Sequence, residues 1–201
     1  MRILPVLAAA ATLVLAGCGT VPTSPPATSA APVSPTSGPS PDPAVADFLA
    51  RHGLDGLSPQ EVVETLDASE DDRENGPIGS VRPSELVLSD EQTEVVVPLP
   101  PDAFYLAFAP YREQTHDCYN HNLATCQGEL AGETMKVSVV DDSGATLVDQ
   151  DVTTHANGFA GIWLPRDITA TLTVSQGGDV ATSPIATGPK DPTCLTTLEL
   201  T

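Results

Sequence analysis

The chain is poor in basic residues, in methionine and in cysteine, and each shortage excludes something. Lys and Arg number 8 against 27 Asp and Glu in 201 residues, a formal charge of −19. Phosphate recognition needs a basic footprint, so nucleic acid is excluded as a partner. The acidity can raise local cation concentration through its field, although solubility accounts for most of these carboxylates. Two methionines are too few for a methionine-rich metal motif. The four cysteines form no Cys-x-x-Cys, the usual arrangement of a thiol oxidoreductase. The apolar stretch at residues 3–16 is shorter than the about 20 residues a membrane span requires.

That stretch has another use. Arg2, the apolar core and small residues at a cut site describe an export signal. It ends Leu15-Ala16-Gly17-Cys18, which resembles the bacterial lipobox, where the cysteine sulfur is acylated and becomes the new N-terminus. The alternative is an ordinary signal with an incidental cysteine. The lipobox reading makes Cys18 the lipidation site of a protein anchored to a bacterial membrane, facing the periplasm or cell wall. Cleavage removes Arg2 and leaves 7 basic against 27 acidic residues, a net charge of −20.

Four parts follow along the chain: a signal peptide at 1–17, the lipidated cysteine with a tether at 18–41, a small helical domain at 42–97, and a β-rich domain at 98–201. Residues 19–41 hold seven prolines and nine Ser or Thr with no charge, so they cannot bury a core. In the polyproline form they reach about 70 Å. Residues 44–52 read as a short helix closed by Gly53. A second begins at Ser58, with Pro59 at its first position and Glu61 completing a capping box. Val62, Val63 and Leu66 give it an apolar side, and an acidic stretch at 70–74 follows. This part is too small to be stable alone and should dock on the next domain or on a second copy.

Strands dominate from residue 98. The apolar run 104–109 reads as a fully buried strand. Met135, Val137 and Val139 alternate with polar residues before the turn Asp142-Ser143-Gly144, and 146–152 is the return strand. Ala170, Leu172 and Val174 alternate with threonines ahead of Gly177-Gly178, and 194–200 closes the chain. The fold class is therefore α+β: a small helical part followed by a mainly antiparallel, sandwich-like β-domain. One segment, 110–134, has no period, and loops of that length are usually functional or constrained.

This long loop carries His116, Cys118, His121 and Cys126, while Cys194 opens the last strand. With Cys18 assigned to lipid, three thiols remain, which cannot all pair internally. Three thiols and two histidines form a soft-metal ligand set. Zinc templates space cysteines as C-x₂₋₄-C, whereas seven residues separate Cys118 from Cys126. Copper(I) accepts two or three sulfurs, with His116 as the first histidine candidate and His121 as the second. The residues alone leave two other readings open. One is a Cys118–Cys126 disulfide with Cys194 buried, stapling a domain that binds an envelope protein. The other is a redox protein that cycles such a disulfide.

Five blocks narrow the choice: Thr115-His116-Asp117-Cys118, Cys126-Gln127-Gly128-Glu129-Leu130, Asn157-Gly158-Phe159, Trp163-Leu164-Pro165-Arg166 and Thr193-Cys194-Leu195-Thr196-Thr197. In this order they resemble the signature of the CueP family of periplasmic copper-binding proteins, over residues 99–200. The resemblance implies an N-terminal helical part used in homodimerisation and a β-rich part in which Cys118, Cys126 and Cys194 form the copper site. It also implies a link to copper resistance, cupric reduction and copper supply to Cu,Zn superoxide dismutase. The lipobox, the tether and the weakly matching residues 42–97 depart from the best-known members. Within the signature, Asn157-Gly158 suits a turn. Trp163 belongs in the core with a partner for its indole N–H. Arg166 anchors a carboxylate or a loop carbonyl. His155 lies near the site or on the surface, and His52 is solvated. The resulting expectation is a copper-sequestering or copper-delivering protein, with binding as its function and Cu(II) reduction by its thiols as an accompanying activity. Two thiols closing to a disulfide supply two electrons, so sustained Cu(II) reduction would require a thiol reductase as partner.

Overall fold

The structure, a computed structural model, describes residues 42–69 and 76–201. The export signal, Cys18, the tether and the acidic stretch 70–74 lie outside the described residues. Helix α1 (Pro43–Arg51) starts where the Asp42 carboxylate accepts from the Ala44 N–H at 2.9 Å. It stops before Gly53, whose φ of 67° suits a residue without a β-carbon. Helix α2 (Pro59–Ala68) has the expected capping box. The Ser58 hydroxyl accepts from the Glu61 N–H at 3.3 Å, and the Glu61 carboxylate accepts from the Ser58 N–H at 2.7 Å. Val62 and Val63 are buried, as read from the sequence. So is Asp67, which shares a helix face with Val63 four positions earlier.

Eleven strands follow among the described residues: β1 (Ile78–Val81), β2 (Glu85–Ser89), β3 (Glu94–Pro98), β4 (Ala103–Tyr111), β5 (His121–Asn122), β6 (Thr134–Asp141), β7 (Thr146–Thr153), β8 (Ala160–Pro165), β9 (Thr169–Gln176), β10 (Asp179–Ala186) and β11 (Cys194–Glu199). They make three sheets, ordered β3-β2-β1-β5, β10-β9-β6-β7 and β11-β4-β8. All pairings are antiparallel except β11 with β4. The α+β class with a sandwich-like β-domain is what the sequence implied.

Residues 42–97 are only partly helical. The helices end at Ala68, and 78–98 pair as a β-meander. Buried Val95 and Val97 alternate with exposed Glu94 and Val96, a period-two signal that the helical reading passed over. Residues 42–69 and 76–201 belong to one compact unit.

The sheet containing β4 is the middle layer. Phe104, Leu106 and Phe108 face one core with Met135, Val137, Val139 and Leu172. Tyr105, Ala107 and Ala109 face the other, with Phe48, Val62, Val63, Leu86 and Leu88. A strand covered on both faces has no polar side to show, which explains the unbroken apolar run. Cys126 and Cys194 lie in the second core, and the half-buried Cys118 packs against it.

Candidate metal centre

The loop at 112–133 holds its shape through its own hydrogen bonds. One Glu129 carboxylate oxygen accepts from the N–H groups of Arg112, Glu113 and Gln114 at 3.0, 2.9 and 2.9 Å. These bonds hold the Glu129 carboxyl below its ordinary pKa. The Asn122 side chain accepts from the Ala124 and Thr125 N–H groups, both at 3.0 Å, and the Cys126 N–H donates to the Asn122 carbonyl at 3.1 Å. Two glycines let the loop meet the β7–β8 turn. A β-carbon on Gly128 would lie 2.6 Å from the Gly158 carbonyl oxygen, and the Gly128 N–H donates to the Asn157 carbonyl at 2.6 Å.

This path places Cys118 against the start of β11. The Tyr119 carbonyl accepts from the Thr193 and Cys194 N–H groups at 2.9 and 3.2 Å. Thr193, fully buried, accepts from the His121 N–H at 3.0 Å and donates to the Val81 carbonyl at 2.6 Å. Cys118 and Cys194 are joined in a disulfide across 76 positions, with Cα atoms 5.7 Å apart. The alternative read from the sequence paired Cys118 with Cys126 instead. Parallel pairing of β11 on β4, with Cys194 opposite Ala107, is what brings the distant cysteine in. Cys126 Sγ lies 3.5 Å from Cys118 Sγ, so all three sulfurs meet. Burial pushes the Cys126 thiol pKa up, but hydrogen bonds from the His121 ring and the Asn122 N–H, at 3.4 Å, outweigh it and favour the thiolate.

His121 is fully buried, a costly place for an ionisable ring without partners. Its Nε2 lies 2.8 Å from Asp67 Oδ1, and its Nδ1 lies 3.9 Å from Cys194 Sγ. Burial alone would depress its pKa, but Asp67 and Cys126 raise it from 6.5 to about 9. Asp67, 1% exposed, is likewise pushed up by burial and pulled down further by His121 and Tyr105. The Tyr105 hydroxyl donates to Asp67 Oδ2 at 2.6 Å, and burial first, then Asp67, keep that phenol protonated. The Asn157 amide donates to Asp67 Oδ1 at 3.1 Å and to the Asp67 carbonyl at 3.3 Å. The Tyr105 ring passes over Gly161, where a β-carbon would occupy the phenol's space.

Two overlapping groups of soft ligands result. His116, Cys118 and Cys126 form the outer one; His121, Cys126 and Cys194, all buried, form the inner one. Within each group the ligand atoms lie within 4.8 Å of one another. The structure thus brings together His116, Cys118, His121, Cys126 and Cys194. His52 is elsewhere, its Nε2 3.0 Å from Asp90 Oδ2 in a partly buried hydrogen bond rather than on a solvated surface. The His155 backbone forms the turn with Phe159 and Gly158 beside the site. The Trp163 indole finds its partner in Glu64 Oε1 at 2.9 Å, and Arg166 donates to the Pro83 carbonyl. Asp67 and Tyr105 went unnoticed in the sequence. The available signal was an acid four residues after Val63, on the apolar side of α2.

The family described as "Periplasmic copper-binding protein CueP" matches residues 61–199, reaching back into α2. The crystal structure of S.CueP is similar at 42% identity and a TM-score of 0.76, over 79% of this chain and 98% of that one. No curated protein matches the chain.

Proposed function

The chain belongs to the CueP family of periplasmic copper-binding proteins, and from that premise we propose that it holds Cu(I) between the sulfurs of Cys118, Cys126 and Cys194, with His121 or His116 completing the set. The observation that carries this reading is the pair of overlapping Cys/His groups sharing Cys126. Thiolate and imidazole together suit a soft monovalent ion. The Cys118–Cys194 disulfide corresponds to the oxidised end of a redox cycle. In the forward direction the two thiols give one electron to each of two Cu(II) ions. They release two protons and close the disulfide, leaving two Cu(I). A dithiol reductase must reopen the bridge, so binding is the function and reduction accompanies it. Delivery to a copper-requiring enzyme such as superoxide dismutase, and homodimerisation, belong to the same reading.

Anaerobic titration of the reduced protein with Cu(I) against a chromogenic chelator tests the site. Cys126→Ser and Cys194→Ser should each weaken binding by about a hundredfold or more, since even loss of a ligand's outer hydrogen-bond partner costs about 10–100-fold. Unchanged affinity in both variants would overturn the cysteine site.

Residues 1–18 extend the proposal to the envelope. Leu15-Ala16-Gly17-Cys18 supports cleavage before Cys18 and lipid attachment to its sulfur. Mass spectrometry of the mature N-terminus should find a diacylglyceryl-cysteine; an unmodified residue there would refute the anchor.

A further inference from the structure

We infer that Asp67, carried by helix α2, is a positioning residue of the copper site: it fixes the His121 ring so that Nδ1 is presented to the sulfurs of Cys126 and Cys194. The inference rests on the cysteine-site reading above and deepens it. It makes the helical part of the chain a component of the metal centre rather than an appendage to it.

Four separate elements converge on this one carboxylate. It sits on α2, receives the Tyr105 hydroxyl from β4 at 2.6 Å, the Asn157 amide from the β7–β8 turn at 3.1 Å, and lies 2.8 Å from His121 Nε2 on β5. Asp67 and His121 are both buried, and their ion pair has no solvent-exposed side chain. Three polar contacts on two oxygens leave the carboxylate no freedom to turn. The His121 ring is clamped in turn: Asp67 holds one nitrogen, Phe159 packs against its face at 4.7 Å between centroids, and its backbone N–H is held by Thr193. With Nε2 committed to Asp67, the nitrogen facing Cys194 Sγ at 3.9 Å is Nδ1.

Packing alone does not require this arrangement. Apolar side chains of similar volume often fill such a space at equal or better stability, so packing does not account for the choice of an ion pair here. A carboxylate on the far nitrogen is what a metal-ligating histidine needs, because it sets the tautomer, aims the ring and raises the basicity of the binding nitrogen. Among the described residues no carboxylate supports the outer histidine in this way: its ring lies 5.9 Å from that of Phe159, and it is only partly buried. The geometry therefore points to His121, not His116, as the histidine that retains the ion. This reverses the order of preference read from the sequence.

The test uses the reduced protein and its variants with Cu(I) in chelator competition. Asp67→Asn keeps the volume and removes the charge, and it should weaken Cu(I) binding about 10–100-fold. In a His121→Ala background the same change should have no further effect, because Asp67 acts only through that ring. A loss of equal size in that background means a merely structural role and overturns the inference. Tyr105→Phe removes one contact from the carboxylate and leaves the ion pair, so it covers the case in which Asp67→Asn does not fold. It should weaken binding severalfold, and unchanged binding would count against the inference. A readout independent of copper is the His121 Nε2–H resonance of the metal-free protein. It should exchange slowly in the parent and quickly in Asp67→Asn; equal exchange in both also overturns the inference. Retained affinity in Asp67→Asn with loss in Cys126→Ser refutes the positioning role and leaves the cysteine site standing. Retained affinity in Cys126→Ser and Cys194→Ser refutes the reading beneath it.

Discussion

Opening the Cys118–Cys194 bridge lowers the folding stability of the metal-free protein by about 4 kcal/mol. The two cysteines lie 76 positions apart, and a cross-link restricts the unfolded chain more as the loop it closes grows. Chain-entropy arguments give about 3 kcal/mol for a loop of 15 residues and about 4.7 for one of 100. The bridge also ties the 112–133 loop to the first residue of β11, and its loss leaves that junction to hydrogen bonds such as those at the Tyr119 carbonyl. Urea unfolding with and without reductant measures the difference, in a Cys126→Ser background that prevents disulfide exchange. The slope should be steeper in the reduced protein, whose unfolded chain is less compact, so the two conditions are compared by their free energies at zero urea. A shift below about 1 kcal/mol would refute the estimate. On the proposed reading, Cu(I) added to the reduced protein should restore part of the loss, since a ligand that binds only the folded state stabilises it.

Asp67→Ala costs about 3–5 kcal/mol at pH 6, because truncation leaves the buried His121 ring without its carboxylate and the Tyr105 hydroxyl without its acceptor. The penalty depends on pH in a definite sense. The folded-state pKa of His121 is raised from 6.5 to about 9. A raised pKa means that the stability the pair contributes is fully present below pH 6.5 and disappears as pH climbs through about 9. That contribution is at most about 3 kcal/mol. Cys126, whose thiol pKa is lowered by the same ring, acts in the opposite direction and makes the net loss smaller. The parent should therefore lose stability between pH 6.5 and 9, and the gap between parent and Asp67→Ala should narrow over the same interval. Chemical denaturation at pH 6 and pH 9.5 decides it. A gap independent of pH would show that the ion pair is not what Asp67→Ala removes.

Much of the fold is legible because its signals are local. Asp42, Ser58 and Glu61 announce the helix starts within a few residues, and Met135, Val137 and Val139 show their sheet face by alternation. The meander at 78–98 was equally local in Val95 and Val97, but its short strands were read with the helices before them. The three sulfurs were recognisable as a soft-metal set from residue type alone. Their pairing was not, because Cys194 reaches the loop only through the parallel register of β11 on β4. Asp67 was the least legible residue of the site. On a capped amphipathic helix in an acidic chain, one more carboxylate reads as solvated surface. Only the pairing of β5 with β1 brings His121, 54 positions later, to meet it.

Cys126 belongs to both ligand groups, so on the proposed reading two ions fill them only by sharing its sulfur. A thiolate can bridge two soft monovalent ions or be contested by them. Saturation of the reduced protein at one copper per chain means contest, and saturation at two means a bridge.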